Sequence, residues 1–138
     1  MPTVRDDAGK RYVLLEQSSE SSRVRDPETG EERSLDNDDL EFDDGAALDV
    51  AASAVDDPVR RVVTAVHSDR ALGLLLELVD RGPSPVRELL DAYDLCESDL
   101  HGLLAEFRAA GLVTECRVYG ERGYEPTGAA KAAVDRLR

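Results

Sequence analysis

The 138-residue chain predicts an α+β fold, with a small N-terminal β region followed by helices that close on a hairpin. Three observations carry this. Residues 1–44 place short apolar stretches between turn residues, the pattern of strands. From Ala46 onward the apolar residues recur at three- and four-residue intervals, as in amphipathic helices. The last such stretch, residues 95–113 (LCESDLHGLLAEFRAAGLV), stops at Gly111 and runs into TECRVYGERGYEPT, a glycine-punctuated pair of strands.

Residues 11–17, RYVLLEQ, are β-rich with an apolar centre, and residues 18–22 are a polar turn signal. Two further strands, around Val24 and Leu35, flank DPETG at residues 26–30. Pro27 suits the second turn position, and Gly30 supplies the positive φ of a tight hairpin. Together these predict a three-stranded antiparallel β-meander, too small to be stable by itself. Residues 37–44, NDDLEFDD, read as an acidic linker anchored by Leu40 and Phe42.

Residues 45–68 read as connecting helices. The first, over 46–55, puts Leu48, Ala51, Ala52 and Val55 on one face. Asp57 and Pro58 then suit an N-cap and a first helical position. The helix that follows turns Val59, Val62, Val63 and Val66 inward. Ser68 or Asp69 caps a third helix over 71–79, with Leu72, Leu75, Leu76 and Val79 inward, and Gly82-Pro83 ends it. Ser84-Pro85 opens a helix carrying Val86, Leu89 and Leu90 through Tyr93. Asp94-Leu95 is a turn and Cys96 a cap, after which Ser98 and Asp99 favour the next helix start. That helix buries Leu100, Leu103, Leu104 and Phe107. An Ala-rich helix over 127–137 follows the hairpin.

Residues 69–138 resemble the winged helix-turn-helix of archaeal and bacterial transcription regulators. The resemblance rests on LCESDLHGLLAEFRAAGLV, which looks like the family's third helix with its glycine stop. GYEPTGAA is similar to the strand and Thr-Gly start of the last helix in such regulators. The meander joined to this segment looks like small halophile regulators. The resemblance implies double-stranded DNA as partner, the third helix in the major groove and the wing over the adjacent backbone or minor groove. Carried over by position, the groove-facing residues are Ser98, Asp99, His101, Gly102 and Ala105. Gly102 and Ala105 can make only apolar contacts, so Ser98 and His101 are the hydrogen-bonding readers, with Asp99 accepting from cytosine. Phosphate contact falls to Arg87 on the second helix, Arg108 on the third, and Arg117 and Arg122. The last two bracket the wing turn that starts at Tyr119 and holds Gly120 and Gly123. The plainer reading pairs these arginines with Glu88, Glu115 and Glu121 and gives Ser98 and Asp99 only a helix-start role.

The net charge is −13, and 15 of the 17 basic residues are Arg, only Lys10 and Lys131 being Lys. Acidic, lysine-poor surfaces look like the proteins of salt-in halophiles. In molar salt the Debye length is about 3 Å, so self-repulsion is screened and acidity does not exclude DNA. Residues 69–138 hold nine basic against thirteen acidic residues, and residues 1–68 eight against seventeen. The later part is thus less acidic without being basic.

Cys96 and Cys116 belong to no CxxC pair, and two Cys with two His fit no zinc spacing, so neither metal nor cofactor is expected. His67 and His101 lack a Ser or Cys partner at a recognisable spacing, and GxSxG, HExxH and P-loop patterns are missing, which argues against an enzyme. No signal pattern opens the chain, and the longest apolar-rich stretch, residues 71–79, is interrupted by Glu77. The expected setting is therefore a halophilic archaeal cytoplasm, with no membrane association. The small-residue faces of helices 46–66 and 127–137 either join two copies as a homodimer or cover the winged core. The alternative function is a protein-interaction adaptor on the same fold, with a protein partner docked on the N-terminal meander.

Overall fold

In the computed structural model, which describes residues 3–138, the expected three-stranded meander is a five-stranded antiparallel sheet. Its strands are β1 (Thr3–Arg5), β2 (Arg11–Gln17), β3 (Ser21–Arg25), β4 (Glu32–Asp36) and β5 (Glu41–Asp43), in the order β4-β3-β2-β1-β5. β2 to β4 are the anticipated three. β1 and β5 are three residues each, too short to show alternation, and exist through pairing: β1 lies between β2 and β5, with Val4 opposite Tyr12 on one side and Phe42 on the other. The presumed linker thus holds a 3-10 turn, Asn37–Asp39, and a strand. Gly30 has φ +75°, as the hairpin requires. Val4, Tyr12, Leu14 and Val24 point to one face and are buried, with Leu35 and Phe42 packed against them.

The first helix, α1 (Ala47–Ala52), lies against β2 and belongs to the sheet's unit, which ends at Asp56. The boundary therefore cuts through the expected connecting segment. α1 buries Val50 and leaves Leu48 83% exposed, the reverse of the anticipated face. In a six-residue Ala-rich helix several faces are almost equally apolar, and the neighbouring strand decides which is covered.

The second unit begins at Asp57. It runs α2 (Asp57–Ala65), α3 (Asp69–Arg81), β6 (Ser84–Pro85), α4 (Val86–Ala92), α5 (Glu97–Ala109), β7 (Val113–Val118), β8 (Glu121–Pro126) and α6 (Gly128–Leu137). The strands form an antiparallel sheet in the order β6-β8-β7, and α2 packs on α6. Ser68 caps α3 by accepting from the Ala71 amide at 3.1 Å, and Gly82 at φ +76° ends it. Thr127 caps α6 through the Ala130 amide at 3.3 Å. Its hydroxyl also donates to the Gly111 carbonyl at 2.6 Å, tying the end of α5 to the start of α6.

α5 buries Leu100, Leu104 and Phe107 completely, with Leu103 alongside. α3 is rotated from expectation: it buries Ala71, Leu74, Leu75 and Leu78, leaving Leu72, Leu76 and Val79 half-buried. α2 keeps the expected face at Val62, with Val59 and Val66 packed against the same core, and departs from it at Val63, which is 64% exposed. Gly123, expected in the wing turn, lies within β8 instead. A Cβ there would meet the Ser84 carbonyl oxygen at 2.5 Å, so glycine is what lets β6 pair with β8.

Candidate functional site

Two adjoining clefts lie between α5 and the β7–β8 hairpin. One, about 370 Å³, is bounded by α4, α5 and β8 and lined by Arg87, Asp91, Glu97, His101, Glu121 and Arg122 over Val86 and Leu90. The other, about 500 Å³, shares His101 and Arg122 and continues past Ala105 and Arg108 to Tyr124. Local geometry explains the gathering. With Leu100, Leu104 and Phe107 fixed inward, the three- and four-residue spacing turns His101, Ala105 and Arg108 to one flank of α5. On β8, Arg122 and Tyr124 share a face by alternation, and Glu115 stands opposite Tyr124 on β7.

The arginines meet carboxylates. Glu115 Oε1 accepts from Arg122 Nη2 at 2.8 Å and from the Tyr124 hydroxyl at 3.3 Å, and lies 3.4 Å from Arg108 Nη1. The hydrogen bond from Arg122 holds the Glu115 carboxyl below the usual carboxylate range, and Glu115 in turn raises Arg122. The Arg122 guanidinium also lies over the Tyr124 ring, 5.7 Å from its centroid. Arg87 Nη2 donates to Glu121 Oε2 at 3.0 Å, which raises the arginine further. His101 Nε2 is 3.6 Å from Glu97 Oε1. The ion pairs among these are solvent-exposed, where such contacts contribute little to stability, whereas the Tyr124 ring that Arg122 and Glu115 share is buried.

Of the eight residues singled out from the sequence, Arg87, His101, Arg108 and Arg122 come together here. Ser98 and Asp99 do not. They line a separate cleft of about 300 Å³ with Ser68 and Arg70, on the opposite flank of α5. There Arg70 Nη2 donates to Asp99 Oδ2 at 3.3 Å, and Ser98 Oγ lies 3.3 Å from Cys96 Sγ. Arg117 and Tyr119 stand at the hairpin tip. Arg117 Nη1 donates to the Gly120 carbonyl at 3.2 Å and, among the described residues, forms no ion pair. Tyr124, which clamps Arg122, was outside the expected set, and its two-residue spacing from Arg122 on a strand was the available signal. Glu88 pairs with Arg81 at 3.7 Å, so it takes no part in the cleft.

Among the described residues no group of three or more His, Cys, Asp or Glu side chains is arranged to hold a metal ion, and no helix is long and apolar enough to cross a membrane. Both cysteines are free, and burial pushes the Cys116 thiol up.

One family matches the chain along its whole length, residues 1–138. The chain belongs to the family of unknown function DUF7346. No curated relative and no solved structure matches it. What a DUF7346 chain of this sequence does has therefore to be read from its own cleft and hairpin.

Proposed function

We propose that residues 69–138 form a winged helix-turn-helix and that the protein is a DNA-binding transcriptional regulator. The observation that carries this is the convergence of Arg87, His101, Arg108 and Arg122, from three elements of one unit, on the clefts between α5 and the hairpin. Further support is the order α3–β6–α4–α5–β7–β8 with β6 paired to β8. It matches a helix-turn-helix followed by a wing, in which α5 would be the reading helix.

In this reading α5 enters the major groove. Ser98, Gly102 and Ala105 on its exposed side allow close approach, and His101 reaches a base edge. Arg108 and Arg122 exchange Glu115 for a phosphate oxygen, and Arg87 exchanges Glu121. Phosphate contacts of this kind supply most of the affinity and fix orientation. In the halophilic archaeal cytoplasm proposed here, molar salt screens the repulsion from these carboxylates and weakens the phosphate contacts with it, so the close contacts of α5 carry a larger share of binding. A homodimer completes the proposal, since α2 and α6 pack together and still expose Val63 and Leu137.

The test is fluorescence anisotropy with duplexes selected from a random pool, in molar potassium chloride. The expected result is a selected motif whose affinity drops at least ~10-fold with Arg108→Glu plus Arg122→Glu. A protein that retains no duplex at any salt concentration sinks the reading.

A second reading, a protein-interaction adaptor on the same fold, is favoured by one observation. All four basic cleft residues already face a carboxylate. It predicts a co-purifying protein and no DNA retention. Docking by strand addition to the N-terminal sheet is disfavoured, because its edge strands carry Glu32, Arg33, Asp36, Glu41 and Asp43.

A further inference from the structure

A cavity of about 280 Å³ in the C-terminal unit shares no residue with the arginine clefts. It lies between α3 and the turn that joins α4 to α5. Leu74 on α3 and Tyr93 and Leu95 in the turn give it an apolar lining. Gly73 opens it. Glycine in the middle of a helix weakens it relative to alanine, and a Cβ at Gly73 would meet nothing within 4 Å. No crowding accounts for glycine there, and what the missing side chain leaves is cavity. The cations nearby already have partners. Arg70 Nη2 donates to Asp99 Oδ2 at 3.3 Å and to the Asp94 carbonyl at 3.5 Å. Arg81, with its guanidinium 5.8 Å from the Tyr93 ring centroid, pairs with Glu88 at 3.7 Å. The two lining carboxylates are not balanced in this way. Glu77 Oε1 accepts from the Tyr93 hydroxyl at 2.8 Å, and neither Glu77 nor Asp94 forms an ion pair among the described residues.

We propose that this cavity binds a small organic cation, an ammonium group carried on an apolar ring or chain. The ammonium donates to Glu77 beside Asp94, and the apolar body rests against Leu74, Leu95 and the Tyr93 ring. A cavity of this size admits a single ring or a short chain, and a few polar groups over an apolar lining are the usual make-up of a ligand site. A bare metal ion fits less well, because leucines and a ring cannot replace its hydration shell. Such a site takes its cation whether or not the protein binds DNA.

Calorimetric titration of the full chain in molar potassium chloride tests it with benzylamine, phenethylamine and hexylamine. At least one should bind saturably, with Kd below about 1 mM. Methylamine, which lacks the body, and phenethyl alcohol, which lacks the charge, should bind at least ~10-fold more weakly. Two substitutions place the site. Gly73→Leu fills the cavity and improves the helix, so amine binding should be lost while the Tm rises by roughly 4 °C. A residue with only a structural role would not move stability and binding in opposite directions. Glu77→Gln should weaken the amine at least ~10-fold and leave the alcohol unchanged. No saturable binding by any of the three amines, equal affinity for amine and alcohol, or binding that survives Gly73→Leu overturns the site, and none of these results bears on duplex affinity.

Discussion

The N-terminal unit closes on five buried apolar side chains, Val4, Tyr12, Leu14, Val24 and Val50, whereas the C-terminal unit shares fifteen among its helices and hairpin. At about 1.5–3 kcal/mol for each large side chain removed from water, the second unit has far more apolar stabilisation to draw on. The sheet makes up part of the difference with polar contacts. Asp26, only 2% exposed, accepts from Lys10 Nζ at 2.8 Å and from the Glu28 amide at 2.9 Å. Asp6 accepts from the Lys10 amide at 2.9 Å and the Tyr12 hydroxyl at 3.1 Å, and Asp43 accepts from the Thr3 hydroxyl. One unit therefore depends on side-chain volume and the other on charge state, so different perturbations should find each.

The largest expected effect is on volume. Leu104→Ala leaves a cavity where nothing is exposed and should cost about 2–5 kcal/mol, read as the loss of denaturant midpoint for the C-terminal unit. If the sheet's own signals melt in step with it, the units are not independent and the contrast fails. Gly123→Ala comes next, at about 1–3 kcal/mol, because the new methyl meets the Ser84 backbone rather than a yielding side chain. Its signature is loss of the β6–β8 hydrogen bonds in amide exchange.

Acid should find the sheet first. Asp6 is held below the usual carboxylate range chiefly by the Lys10 amide, Asp26 by the Lys10 ammonium and Asp43 by the Thr3 hydroxyl. A lowered folded pKa contributes stability above the unfolded value of about 4, and that contribution disappears as pH falls through the folded values. The amide signals of Leu14 and Val24 should therefore collapse at a higher pH than those of Leu104 and Phe107. The reverse order would break the comparison.

The smallest effect on stability should have the clearest effect on binding. Glu115→Gln releases Arg108 and Arg122 from an exposed pair, so the Tm should hardly move while duplex affinity rises several-fold. Unchanged affinity would mean that those two arginines do not meet phosphate.

Legibility followed locality. The inward face of α5 was readable because thirteen residues give the periodicity room to show. α1, six residues long and rich in alanine, showed no unique face, and Leu48 was placed on the wrong side of it. Two glycines make the same point. Gly30 was read correctly because its turn is built from its own neighbours. Gly123 was misread because its reason is the backbone of Ser84, 39 positions away in the chain. The site was legible in the same measure. Arg108 and Arg122 could be chosen as exposed cations, but their sharing of Glu115 depends on the strand register and on the packing of α5.

By itself, then, the sequence determined the α+β class, a helix cap at Ser68 or its neighbour Asp69, the stops at Gly82 and Gly111, and the inward face of α5. Each depends on backbone preference or on spacing within one element. Only the tertiary structure decided that β1 and β5 extend the sheet, that β6 joins the hairpin, and that Ser98 and Asp99 face away from the arginine cleft. Those outcomes depend on partners distant along the chain, and hydrogen bonds between strands and ion pairs between elements exist only once packing has brought both halves together.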